Sequence, residues 1–94
     1  MKAHSAHEAK KFTDIPNIGK EIAKDFLTLG LVLPSDLEGK DPFILYKALC
    51  KKTNARHDPC VLDTFMAAVD FMNGAPPRVW WHYTPLRKKN YPNI

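Results

Sequence analysis

The sequence predicts an all-α fold, and three observations carry that prediction. Apolar residues recur at helical spacing in three separate stretches, Ile22 to Leu29, Leu45 to Leu49 and Val61 to Met72. Asp-Pro pairs, Asp41-Pro42 and Asp58-Pro59, open two of those stretches, with Asp placed as N-cap and Pro as first helical residue. No segment alternates apolar and polar residues between hairpin turns, so no sheet is expected. With 94 residues, 45% of them hydrophobic, the chain suits one domain with a single modest core.

In chain order, residues 1–11 lack periodicity and read as an N-terminal tail, from which a first helix could start near His7 and run toward Ile15. His4 and His7 read as exposed tail histidines, because a closed metal site needs more ligands than this region supplies. Pro16-Asn17-Ile18-Gly19 then separates two apolar segments by too few residues for a wandering loop, which predicts a tight helical hairpin. In the following helix Ile22, Phe26 and Leu29 form one core-facing row and Ala23 and Leu27 its neighbour, while Lys20, Lys24 and Asp25 stay wet. Gly30 is expected to close it in a left-handed cap, and Leu31 to Leu33 to be buried.

Ser35-Asp36-Leu37-Glu38 has capping-box spacing and predicts a one-turn helix stopped by Gly39. The helix opened by Asp41 carries Leu45 and Leu49 on its core side and is closed by Lys51, Lys52 and a left-handed Asn54. The helix opened by Asp58 is the most apolar and is expected to be the central pillar, with Asp63 and Asp70 on its wet face. Asn73-Gly74 ends it and Pro76-Pro77 forbids continuation. The last segment shows no helical period and reads as an extended aromatic strap followed by a basic tail over residues 84–94.

Charge narrows the function classes. Residues 1–11 carry three Lys against one Glu, 12–40 three Lys against five acids, 41–63 four bases against three acids, and 64–94 four bases against one acid. Basic ends on a near-neutral body suit an anionic partner. No apolar run is long enough for a membrane span, and two cysteines are too few for a secreted disulfide framework, so a cytoplasmic protein is expected. No nucleophile elbow and no phosphate-binding GK[ST] loop is present, so neither an enzyme nor a cofactor is expected. Cys50, His57 and Cys60 gather around one interhelical loop, but their spacing matches no common zinc pattern and a fourth ligand is not evident.

The string Ile15-Pro16-Asn17-Ile18-Gly19, with Ala23 one turn later, resembles the helix-hairpin-helix nucleic-acid-binding motif, in which a hydrophobic residue, a variable one, glycine, a hydrophobic residue and glycine precede a helix. Asn17 stands where that family has its first glycine, and asparagine is the best non-glycine residue at positive φ. Further along, Asp36-Leu37-Glu38-Gly39-Lys40-Asp41-Pro42, then Arg56 to Asp63, then Trp80-Trp81 extend the resemblance over residues 12–82 to the small bacterial pathogenicity-locus family, itself similar to the C-terminal domain of TfoX-type competence regulators. The resemblance implies a compact five-helix domain of helix-hairpin-helix or SAM-like type over residues 12–83.

The helix-hairpin-helix motif itself implies a DNA-binding module that grips phosphate largely without regard to sequence. The expected contacts are Asn17, Ile18, Gly19, Lys20 and Lys24 at the first hairpin, and Arg56 and His57 at a second, degenerate one. The expected partner is double-stranded DNA, with a protein partner or homodimer possible because only one good hairpin is present. The alternative is a SAM-like protein-interaction module that uses the Trp80 and Trp81 surface.

Overall fold

A computed structural model describes residues 2–94. The described residues form four α-helices, α1 (Lys20–Thr28), α2 (Pro42–Thr53), α3 (Pro59–Met72) and α4 (Thr84–Asn90), with 3-10 turns at Ala6–Glu8 and Phe12–Asp14 before α1, at Pro34–Leu37 between α1 and α2, and at Trp80–Tyr83 between α3 and α4. No strand occurs among the described residues.

α3 is the pillar that the sequence predicts. Its residues from Leu62 to Val69, together with Phe71 and Met72, are all buried. It packs against α2, α4 and three of the four short turns. Asp58 caps it, its carboxylate accepting from the Cys60 N–H at 2.9 Å, and Asp41 does the same for α2 through the Phe43 N–H at 2.9 Å. α2 ends at Asn54, whose φ of 52° is left-handed, so the amide residue fills the position that glycine more often takes. α1 ends as predicted at Gly30, where the Leu31 N–H returns to the Phe26 carbonyl at 3.0 Å.

α1 reaches the pillar through aromatic contacts. Phe26 lies 5.1 Å from Phe12 and 5.1 Å from Phe65, ring centre to ring centre, so one row of α1 joins the N-terminal turn to the core. Of the neighbouring row, Ala23 is partly buried against the core and Leu27 is not covered. Leu27 is 57% exposed, and of the expected buried run after α1 only Leu31 is inside, with Val32 and Leu33 outside. The reason is that no helix forms over residues 7–15, which leaves α1 touching mainly α2 and the Phe12–Asp14 turn.

The expected first helix fails because Asp14 turns its carboxylate back onto the N–H groups of Lys10, at 2.9 Å, and Lys11, at 3.1 Å. Asp side chains favour such local bonds over a continuous helix. The segment is nonetheless anchored. Ala3 is buried and its N–H donates to the Asp14 carbonyl at 2.7 Å, while the Lys2 ammonium donates to the Thr13 and Ile18 carbonyls. Asp36 repeats the device, accepting from the N–H groups of Val32 and Leu33 at 2.9 Å each, so Asp36 and not Ser35 organises the Pro34–Leu37 turn.

At the other end, the predicted extended strap and basic tail are a 3-10 turn and α4. The described residues therefore form four α-helices, not the five expected. Asp63, expected on the wet face of α3, is fully buried and accepts from Arg87 Nε at 2.8 Å and from the Thr84 hydroxyl at 2.7 Å. Tyr91 beyond α4 stacks on Phe43 of α2 with ring centres 4.3 Å apart.

Backbone N–H groups hold the carboxyls of Asp14, Asp36 and Asp58 below the usual aspartate range. A depressed pKa in the folded state gives stability that is present above the unfolded pKa and lost as pH falls through the folded one. The urea midpoint is therefore expected to hold near neutral pH and to drop below about pH 4, the ordinary aspartate range. Asp25 acts in the opposite sense, since burial raises its pKa, and will blunt the onset. Asp58→Asn keeps a capping acceptor without the titration, so its midpoint should fall less on acidification. A wild-type midpoint that is the same at pH 5 and pH 3 would contradict this account.

Candidate nucleic-acid interface

The turn before α1 is fastened from beneath. Ile15 and Ile18 are fully buried, the Ile18 N–H donates to the Ile15 carbonyl at 3.1 Å, and Asn17 between them sits at φ 72°. Asn17 thus takes the left-handed position predicted for it. Its side chain does something the sequence does not announce. Nδ2 donates to the Arg78 carbonyl at 2.7 Å and Oδ1 accepts from the Trp80 N–H at 3.2 Å, so both ends of the amide clasp the segment leading into the aromatic pair.

Gly19 is the N-cap of α1 at φ −95° and ψ −172°, extended backbone with no side chain capping the helix. It is exposed, as are Lys20 and Glu21, so the first N–H groups of α1 face solvent. A β-carbon built at Gly19 would meet no atom within 4 Å. The space above this helix end is open.

Lys20 and Lys24 are exposed on the same helix. Lys2 adds a cation that sequence reasoning missed, because it sits in a stretch without pattern and reaches the turn only through its bonds to the Thr13 and Ile18 carbonyls. Burial lowers the Lys2 pKa, and the charge of Asp14 partly opposes that. Glu21 and Asp14 stand against these three cations, so the local field is modest.

Asn17, Ile18, Gly19 and Lys20 therefore lie together at the start of α1, with Lys24 one turn further along it, but in unequal roles. The Asn17 amide is taken by the backbone of residues 78–80, and the Ile18 side chain is core. Gly19, Lys20 and Lys24 remain outward. Arg56 and His57 lie elsewhere, on the loop between α2 and α3. His57 Nε2 bonds the Thr53 hydroxyl at 2.8 Å, and its carbonyl accepts from the buried Tyr46 hydroxyl. Arg56 is exposed and lines a cavity of about 580 Å³ with Lys47, Lys51, Asn54 and Asn93.

The aromatic pair sits next to the clasped turn. Trp80 is half-buried and Trp81 is 58% exposed, their rings 5.5 Å apart and perpendicular. Below them the segment is bolted to α3. The Tyr83 hydroxyl donates to Asp70 at 2.6 Å, and Arg78 pairs with the same carboxylate at 3.3 Å. A groove of about 530 Å³ runs beside the pair, lined in part by Pro59, Cys60, Trp81, Pro85 and Lys88. Burial, followed by the Asp58 carboxylate, pushes the Cys60 thiol up, which keeps it protonated at neutral pH. Cys50 and Cys60 are both free, and no group of three or more His, Cys, Asp or Glu side chains among the described residues is placed to hold a metal ion. No helix of the described residues is long and apolar enough to cross a membrane.

Fold and surface together define a small all-helical domain with an open, lysine-flanked helix N-terminus clasped to an aromatic segment. The chain belongs to the pathogenicity-locus family, which matches residues 5–89. That span includes most of the anchored N-terminal segment and nearly all of α4. The chain is also similar to the mitomycin resistance protein McrB of Streptomyces lavendulae, 39% identical over 85 residues that cover 90% of this chain and 81% of McrB. No solved structure gives a significant match.

Proposed function

We propose that this protein is a non-enzymatic DNA-binding module of the helix-hairpin-helix kind, acting as an accessory or regulatory factor. In this reading the N–H groups of Gly19 and Lys20 hold a phosphate oxygen of duplex DNA. The observation that carries it is the exposed, uncapped start of α1, where no atom crowds the position above Gly19. A helix N-terminus presents aligned N–H donors and partial positive charge, which suits an anion. Lys2, Lys20 and Lys24 supply the cations around it.

Contacts of this kind carry no base information, so two unrelated duplex sequences are expected to bind alike. Affinity should depend steeply on salt. For about three phosphate contacts, a slope near −0.9 per contact gives roughly a 40-fold loss between about 50 and 200 mM salt. Fluorescence anisotropy with a labelled duplex at the two salt concentrations tests this. Duplex binding that is insensitive to salt, or no binding at either concentration, would remove the proposal.

A further inference from the structure

We infer that Trp81 is a stacking platform for an unpaired base, and that the preferred nucleic acid therefore has a single-stranded or unstacked stretch beside the phosphate held at Gly19. This rests on the DNA-binding reading and specifies its substrate. Three observations carry it.

The first is exposure. Tryptophan is large and on average well buried, yet Trp81 leaves 58% of its surface in solvent while the adjacent Trp80 is half-buried. The two indoles stand perpendicular with ring centres 5.5 Å apart, Trp80 half-buried and Trp81 largely in solvent. The second is rigidity. The backbone of residue 80 is held by Asn17, Tyr83 is held by Asp70, and Thr84 is held by Asp63, so the turn carrying Trp81 is fastened on both sides. A fixed aromatic loses little freedom when a base stacks on it, and base stacking on such a platform is sequence-tolerant.

The third is position. Asn17 is two residues before Gly19, and its Oδ1 lies 3.2 Å from the Trp80 nitrogen. At 3.8 Å per residue the path from the Gly19 N–H to the Trp81 backbone is at most roughly 18 Å. A few nucleotides span that distance. The groove beside Trp81 has about 530 Å³ of space, room for a base, and its wall carries the Lys88 ammonium as well as the Asp58 carboxylate, while Asp63 is paired with Arg87. A base inside a continuous duplex cannot present its face to Trp81 without leaving the stack, and this is the origin of the preference.

The test uses the full chain, with three fluorescein-labelled oligonucleotides: a fully paired duplex, the same duplex with a short central mismatch bubble, and the single strand. The expected result is about tenfold tighter binding to the bubble or the single strand than to the paired duplex, with quenching of tryptophan emission. Trp81→Ala should remove most of that preference and of the quenching while leaving duplex affinity and its salt dependence in place. Trp81→Phe should restore most of the preference, since the ring is kept. Trp81 is exposed, so these variants keep the fold, and circular dichroism checks it. Equal affinity for all three nucleic acids, or a preference untouched by Trp81→Ala, overturns the inference while the phosphate grip stands. Absence of salt-sensitive binding to any of the three overturns both.

Discussion

Replacing Asp63 by alanine is expected to lower stability by about 3–5 kcal/mol, the cost of leaving a buried charge without its partner. Asp63 is fully buried and the Arg87 side chain is 11% exposed, so the guanidinium has little access to water once the carboxylate is gone. Two further bonds would be lost with it, the Thr84 hydroxyl at 2.7 Å and the second guanidinium nitrogen at 3.4 Å. For a domain of this size each kcal/mol shifts Tm by roughly 4–8 °C, so thermal unfolding followed by circular dichroism should show a fall of at least about 12 °C. The pair is specific as well as costly. The double substitution Asp63→Leu with Arg87→Met removes both charges and is expected to recover most of the loss, because a well-packed apolar replacement of a buried pair is often neutral. A Tm for Asp63→Ala within about 3 °C of wild type, well under the shift for 1 kcal/mol, would mean that Arg87 escapes to solvent and that α4 is held by other contacts.

The same pair explains why the C-terminal third was the least legible part of the sequence. α4 has no apolar stripe. Leu86 is 46% exposed and the group that faces the core is an arginine, so a reading based on hydrophobic period finds nothing helical in residues 84–90. Nor does Asp63 give itself away, since an isolated acid in an apolar helix is normally a solvent marker and only its distant partner reverses that meaning. The N-terminal segment was hidden for a different reason. It is buried through single residues, Ala3, Phe12 and Ile15, of which only Phe12 lies on a 3-10 turn, and such isolated positions show no period.

By contrast α1, α2 and α3 were legible because their signals are local. Asp41-Pro42, Asp58-Pro59, Gly30 and Asn54 act on backbone groups within a few residues, and the structure uses each as expected. The candidate interface falls between these cases. The left-handed turn at Asn17 follows from local chemistry. The bonds from its amide to residues 78 and 80, more than sixty positions away, do not. A residue that reads as a substitute for glycine in a turn is thus also the link between that turn and the aromatic pair. Arg56 and His57, paired with the hairpin by analogy alone, lie on the loop between α2 and α3.

Gly19→Val is expected to weaken duplex DNA binding by about 10- to 150-fold, the equivalent of one lost hydrogen bond to a charged group at about 1.5–3 kcal/mol. The fold gives this substitution unusual diagnostic value. φ −95° and ψ −172° lie in extended backbone that valine readily adopts, and the new β-carbon meets nothing within 4 Å. The remaining structural cost is the weaker N-cap, about 1 kcal/mol or less when glycine is the starting residue. Nothing inside the protein therefore requires glycine at this position, and what valine changes is access from outside. In the proposed complex, a branched side chain beside the N–H groups at the start of α1 would hold a phosphate oxygen beyond hydrogen-bond distance. Gly19→Ala places a smaller obstacle there and should lose less. The measurement pairs anisotropy titrations with thermal melts, so that a Tm within a few degrees of wild type separates lost contact from lost fold. Should Gly19→Val bind the duplex as tightly as the wild type, the phosphate is held elsewhere, and the exposed cavity lined by Lys47, Lys51 and Arg56 becomes the next surface to substitute.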